Sequence, residues 1–192
     1  MSGAVYGRAG ENLESFTGRA GPGGQEQGHK AELKTAELLD ACVNRGLTVF
    51  HSVRVRGGAA DIDHVLVGSR GVVLIDTKAW KPGMYLALGS RAYRLTASRM
   101  LPERFTPGES TSLVRSTEQM RAAGVPVVGA VVAVWPSGTG QVRLGLMGYP
   151  GARITTARKA VRVARRMAGR RAAPPETVEG VARWVRMNEG RR

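Results

Sequence analysis

Two short stretches of this chain set acids and a lysine at strand spacing: Asp61-Ile62-Asp63-His64 and Asp76-Thr77-Lys78. Between them lie apolar runs at 65–67 and 72–75, joined by Gly68-Ser69-Arg70-Gly71, which is the composition of a β-hairpin. With Ser69 and Arg70 as the loop, Gly68 pairs with Gly71, Asp63 falls opposite Asp76, and Asp61 falls opposite Lys78. Side chains alternate along a strand, so all four project from one face. Directly opposed residues have Cβ atoms roughly 4.5–5.5 Å apart, and two carboxylates at that spacing repel. A proton on one of them relieves the repulsion, and so does a divalent cation between them. Two acidic oxygen donors suit Mg²⁺ (or Mn²⁺), which keeps several waters and completes its shell with substrate phosphate. That is the chemistry of phosphodiester hydrolysis. The same residues also allow an ordinary cross-strand ion pair between Asp61 and Lys78, with Asp63 simply exposed. A slip of one residue would turn one strand's side chains to the other face.

The elements that must position these groups follow from the patterning. Residues 30–44 are predicted to be a helix with Ala36, Leu39 and Val43 on one stripe and Gly46 ending it. Glu32 falls on that stripe, where burying a charge is costly. It is either a third oxygen donor for the hairpin acids or a helix-edge acid reaching water. Strands are expected over 47–55, 61–67 and 71–79, with a further hairpin over 84–97 and a loop over 98–110. A helix over 112–123 leads to a strongly apolar strand at 126–135, expected to be buried and central, and then to a strand at 141–147. Helices follow at 155–168 and after Pro174-Pro175. The order α-βββ-(ββ)-α-β-β-α-α is mixed α/β and not a simple βαβ alternation. No phosphate-binding glycine motif follows a strand. Residues 1–28 are expected to be a flexible Gly-rich lead, 29–150 the core, and 151–192 basic helices packing on it.

The net charge of +14 and an isoelectric point near 11.2 favour a polyanionic partner, nucleic acid first. Arg54, Arg56 and the helix carrying Arg158, Arg162, Arg165 and Arg166 are the expected contacts to the phosphate backbone, the alternative for that helix being a solvated face. A membrane-surface role is disfavoured because the apolar face of the C-terminal helices is mostly Ala and Val. Cys42 is the one cysteine, so a reducing, cytoplasmic setting is expected. No signal segment is read at the N-terminus, and the apolar run at 125–135 is too short to span a bilayer. A homodimer is compatible with the sequence, which does not fix the oligomeric state.

The segment DIDHVLVGSRGVVLIDTKAW at 61–80 resembles the nuclease-related domain (NERD) family, a branch of the PD-(D/E)xK nuclease superfamily. The shared pattern is acid-x-Asp-His, an apolar strand, a Gly turn, a second apolar strand, then acid-x-Lys. Upstream, AELKTAELL at 31–39 matches the family's Gly-Glu helix start with Ala31 in the glycine position and Glu32 in the acid position. The resemblance covers roughly residues 25–140. It implies a restriction-endonuclease-like central mixed sheet flanked by helices, with a Mg²⁺- or Mn²⁺-dependent nuclease site. Asp63 and Asp76 would ligate the metal, Glu32 would assist, and Lys78 would orient or activate the attacking water. The expected substrate is nucleic acid, with DNA favoured over RNA although the residues themselves do not distinguish the two. His64 faces away and is structural in this register. Asp76 has a shorter reach than the commoner Glu, and Arg115 stands near the place where the family often has Gln, with Gln119 a turn later. The alternative is a nucleic-acid-binding module that keeps the fold without the chemistry.

Overall fold

The structure, a computed structural model, describes residues 3–10, 22–55, 61–88, 91–96, 101–107 and 111–189. Its main sheet has six strands in the order β1-β2-β3-β4-β8-β10: β1 (Val5–Tyr6), β2 (Thr48–Val53), β3 (Ile62–Gly68), β4 (Gly71–Trp80), β8 (Val127–Pro136) and β10 (Arg153–Thr156). The pairs β2–β3 and β3–β4 are antiparallel, whereas β1–β2, β4–β8 and β8–β10 are parallel. This is a mixed α/β fold consistent with a nuclease-like architecture.

The apolar residues of β3 and β4 split by alternation into two cores. Val65, Val67, Val72 and Leu74 face one core, which α2 (Ser112–Ala122) covers with Leu113 and Met120 and α4 (Pro175–Glu189) with Val181 and Trp184. Leu66, Val73 and Ile75 face the other, covered by Leu39 of α1 (Pro22–Asp40) and by Ala157, Ala160, Val161 and Ala164 of α3 (Ala157–Ala168). Small residues on α3 let that helix lie close to the sheet, and the strand residues beneath it are fully buried. A second sheet, ordered β7-β6-β5-β9, comprises β5 (Gly83–Leu88), β6 (Arg91–Leu95), β7 (Glu103–Phe105) and β9 (Val142–Leu144). It continues from the C-terminal ends of β4 and β8. Tyr85 and Phe105 pack against Trp80 with ring centroids 4.9 and 4.6 Å away, so an aromatic cluster joins the two sheets.

Several expectations need correction. Residues 3–10 of the supposed lead hold β1, whose Tyr6 stacks on Phe50 at 4.7 Å, and the first helix begins at Pro22 rather than near Lys30. That helix stops at Asp40, and a separate 3-10 turn at Val43–Arg45 ends on Gly46 in the left-handed conformation. The loop over 98–110 includes the edge strand β7, and β10 precedes α3. The apolar strand β8 is interior and buried, but β3 and β4 are the central pair. Strands of two to four residues carry too little alternation to be read from sequence.

Candidate active site

The hairpin register is the one expected from its glycines: Gly68 pairs with Gly71 and the ladder continues in step to His64 opposite Ile75. It stops there. In an unbroken ladder the Thr77 amide would pair with Ile62. Instead the Asp63 carboxylate turns into the gap and Oδ2 accepts the Thr77 N–H at 2.6 Å. The side chain thus satisfies a backbone donor that the separating strands leave behind. The consequence reaches Asp61, which does not face Lys78 as expected. Asp61 is half-buried and interacts with the Val55 amide and the Arg54 charge, while burial pushes its carboxyl up.

Lys78 pairs within its own strand. Two residues apart on β4, Asp76 and Lys78 share a face, and Nζ lies 2.9 Å from both carboxylate oxygens of Asp76. The hydrogen bond is aligned on Oδ1. Oδ2 is buried and has this ionic contact but no hydrogen bond of its own. Burial alone would lower the Lys78 ammonium, but the Asp76 and Asp63 carboxylates outweigh it and push it above the ordinary lysine range. Tyr149, buried in the turn before β10, adds to that upward push. It is the neighbour that sequence reasoning missed.

Asp63 keeps some residue surface, but its carboxylate is enclosed by neighbouring atoms. Burial and then the charge of Asp76 raise it well above the ordinary aspartate range. Lys78 pulls it down, Glu32 raises it further, and the Thr77 amide lowers it. Three acids and one lysine are therefore in electrostatic contact where β3 leaves β4. The excess of negative charge in a poorly solvated place favours a bound cation or a held proton.

Glu32 does lie on the buried face of α1, at 6% exposure, so the unusual stripe position is real. Its partner was not foreseen: Oε1 accepts the backbone N–H of Gly10 at 2.7 Å. Gly10 is favoured there by its φ of +80°. Burial raises the Glu32 carboxyl, against the lowering effects of the Gly10 amide, His29, Ser52 and His51. Three residues on, the fully buried Thr35 ties α1 to the sheet, with its hydroxyl 3.2 Å from Thr77 Oγ1 and 2.8 Å from the Trp135 indole N–H. Thr77 thus links Asp63 through its amide and α1 through its hydroxyl.

Among the described residues no three His, Cys, Asp or Glu side chains converge closely enough to hold a metal ion. Glu32 is engaged by Gly10 rather than turned onto the two aspartates. The residues present still fit a hard divalent cation of the Mg²⁺ kind, which is commonly held by one or two carboxylates with water and phosphate filling the rest. The observation behind that fit is the buried, hydrogen-bond-free Oδ2 of Asp76 beside an enclosed, charge-strained Asp63.

His64 lies on the opposite face from Asp63, as alternation requires. It is fully buried, with Nδ1 2.8 Å from His51 Nδ1, and His51 Nε2 is 2.9 Å from Asp40 Oδ1. Burial and then His51 hold the His64 imidazole down at about 3, so it is neutral at pH 7.

The expected phosphate-binding arginines do not gather around the acids. Arg54 is half-buried beside Asp61, at the acid end, and Arg56 lies outside the described residues. Arg115 is exposed in the first turn of α2. Its neighbour Val114 packs on Gly151, close to Tyr149, so Arg115 also stands toward the acid end. Thr156 of β10 pairs with Val134, which in turn pairs with Lys78. The helix α3 therefore starts level with the acids, on the other face of the sheet, and runs away from them. Arg158, in its first turn, is exposed on that far side, and Arg162, Arg165 and Arg166 lie progressively nearer the hairpin turn.

Fold and site together define a mixed α/β protein of nuclease-like architecture with an acid–acid–lysine cluster at a strand divergence. The family model of the nuclease-related domain matches residues 27–130, more than half the chain, and the chain belongs to this NERD family, whose general context is the PD-(D/E)xK nuclease superfamily. No curated protein and no solved structure matches it. No helix among the described residues is long and apolar enough to cross a membrane.

Proposed function

We propose that this chain is a divalent-metal-dependent nuclease that hydrolyses nucleic-acid phosphodiester bonds, with DNA the favoured substrate. The observation that carries this reading is the electrostatic contact of the enclosed Asp63 with Asp76 and Lys78 at the point where β3 and β4 part, with Lys78 held by Asp76. Asp63 and Asp76 would hold a Mg²⁺ or Mn²⁺ ion, with Glu32 assisting from α1. When bound, the ion supplies Lewis acidity toward a phosphate oxygen and toward water. Lys78, kept protonated by the two aspartates, donates hydrogen bonds to phosphate oxygens or holds the attacking water, and so stabilises charge growing on the phosphate. Thr77 and Thr35 position Asp63 and α1 relative to the sheet. Arg54 and Arg115 are two guanidinium groups at this end that would contact the flanking backbone.

A second reading, a nucleic-acid-binding module without chemistry, is favoured by the lack of a third converging ligand among the described residues. One experiment separates the two. Plasmid, linear duplex, single-stranded DNA and RNA are incubated with the protein in Mg²⁺, Mn²⁺ or EDTA, alongside Asp63→Ala, Asp76→Ala and Lys78→Ala. Metal-dependent cleavage lost in all three variants is the expected outcome. Salt-sensitive binding without cleavage in either metal would leave the binding module standing, and absence of both would overturn both.

A further inference from the structure

We propose that the hairpin-turn end of the sheet is a second nucleic-acid site, a backbone-binding groove separate from the acid cluster. Three adjoining clefts meet there. One is lined by Ser69, Arg70, Arg166, Gly169, Arg170 and Arg171. The next shares Arg166 and Arg170 and adds Arg45, Arg162 and Arg165. The third shares Arg45, Arg170 and Arg171 and adds residues of the 3-10 turn. Shared arginines make them one continuous surface. Gly68 and Gly71 are each five residues from Asp63 and Asp76, so this surface is ~17 Å along the strands from the acids.

Among the described residues the charge there is uncompensated. Between Arg153 and Arg171 the sequence has eight basic residues and no acid. Among the described residues, no carboxylate lines any of the three clefts. Among the described residues, no ion pair joins these arginines to an acid. Arg45, Arg70, Arg162, Arg166, Arg170 and Arg171 are exposed. Guanidinium groups massed without carboxylates hold a diffuse cloud of counter-anions. A polyanion that displaces this cloud binds with the gain of its own released counterions.

The framework beneath the charges is fixed. The Ser69 amide donates to Arg171 O at 3.0 Å and the Arg70 amide to Ala168 O at 2.7 Å. Gly169 adopts φ +95°, and a Cβ there would meet Ser69 Oγ at 2.4 Å and Arg70 N at 3.0 Å, so the hairpin turn and the end of α3 are tightly packed together. Arg70 Nη1 also reaches Arg166 O at 3.4 Å. These two chain segments are locked together and, with the 3-10 turn that carries Arg45, line one open, continuous face with arginines. That shape suits an extended phosphate backbone rather than a small enclosed anion. Interactions of this kind fix position without reading bases.

The test is fluorescence-anisotropy binding of a short labelled duplex in EDTA, which excludes cleavage, over about 50–200 mM salt. The triple variant Arg70→Gln/Arg166→Gln/Arg170→Gln is compared with wild type. A control, Arg91→Gln/Arg183→Gln/Arg186→Gln, removes the same charge from positions elsewhere. The groove variant should bind at least about tenfold more weakly, with a log–log salt slope shallower by roughly 0.9 for each phosphate that is no longer neutralised. The three lysine substitutions at the groove positions should restore part of the affinity. Equal weakening in the groove variant and the control would overturn the assignment, because net charge alone would then explain it. So would capture of phosphatidylserine vesicles through these arginines with no duplex binding. Equal affinity of the groove variant and wild type would also overturn it, while leaving the cleavage reading intact.

Discussion

The two ends of the β3–β4 hairpin handle charge in opposite ways. At the open end, Asp63, Asp76 and Lys78 are wholly or partly buried and electrostatically bound to one another. At the turn end, Arg70, Arg166 and Arg170 stand in solvent without a carboxylate partner among the described residues. A charge in a poorly solvated place costs folding free energy unless it is paired, so the acid end should be sensitive to every change. An exposed charge alters stability little but adds directly to long-range attraction for a polyanion. At the acid end local geometry decides, and at the arginine end the massing of charge on one face decides.

The largest effect should come from breaking the acid end. Asp63→Asn and Asp76→Asn should each lower cleavage by about a hundredfold to a thousandfold, of the order seen when a preorganised electrostatic group is removed, measured on a duplex in Mn²⁺ with circular dichroism checking the fold. The Asp63 variant should also raise the melting temperature of the metal-free protein. Its folded carboxyl is raised, so ionised Asp63 opposes folding as pH climbs from the ordinary aspartate value through the folded one. The asparagine oxygen can still accept the Thr77 amide. A lowered melting temperature at pH 8 would contradict the claim that these acids repel.

Lys78→Met comes next, because it strands the buried Asp76 carboxylate. A fully buried unpaired charge costs about 3–5 kcal/mol. Since the Lys78 side chain is 32% exposed, the destabilisation should be nearer ~2 kcal/mol, read from urea unfolding at pH 7.5. Full stability in this variant would show that the ion pair contributes nothing.

His64 sharpens the comparison from the other face of the same strand. Its folded value near 3 lies below the ordinary 6.5, so the unfolded chain binds the proton first as pH falls. The stability this neutral imidazole contributes is present above 6.5 and is lost progressively toward 3, at up to about 1.4 kcal/mol per pH unit. Denaturant unfolding between pH 7 and 4 should show that slope, and His64→Gln should flatten it.

The smallest effect on stability should come from the arginine end. Arg70→Gln, Arg166→Gln and Arg170→Gln should change unfolding free energy by no more than about 0.5 kcal/mol each, while the triple variant loses at least about tenfold in duplex binding. A large drop in stability there would mean that the arginines serve the fold.

How much of this was readable in the residue order depended on the range of the interaction. The hairpin register followed from Gly68, Gly71 and the apolar alternation, all local signals, and the ladder confirms it to His64 and Ile75. The opposition of Asp61 and Lys78 was wrong because a side chain, Asp63, replaces a backbone partner at Thr77, an event that no spacing rule contains. Glu32 was conspicuous as an acid on an apolar stripe. Its partner, Gly10, lies 22 residues away in a Gly-rich stretch without periodicity. The arginines of α3 were visible as residue types, but their place at the turn end depends on β10 running parallel to β8, and a four-residue strand leaves no pattern. Tyr149 gave no signal beyond being one aromatic in a loop.

The central claim, that Asp63 and Asp76 share one divalent cation, is tested most directly by counting bound Mn²⁺ by electron paramagnetic resonance in wild-type protein, Asp63→Asn and Asp76→Asn. The account predicts one ion per wild-type chain and none at the same concentration in either variant. Equal Mn²⁺ binding in all three proteins would contradict it.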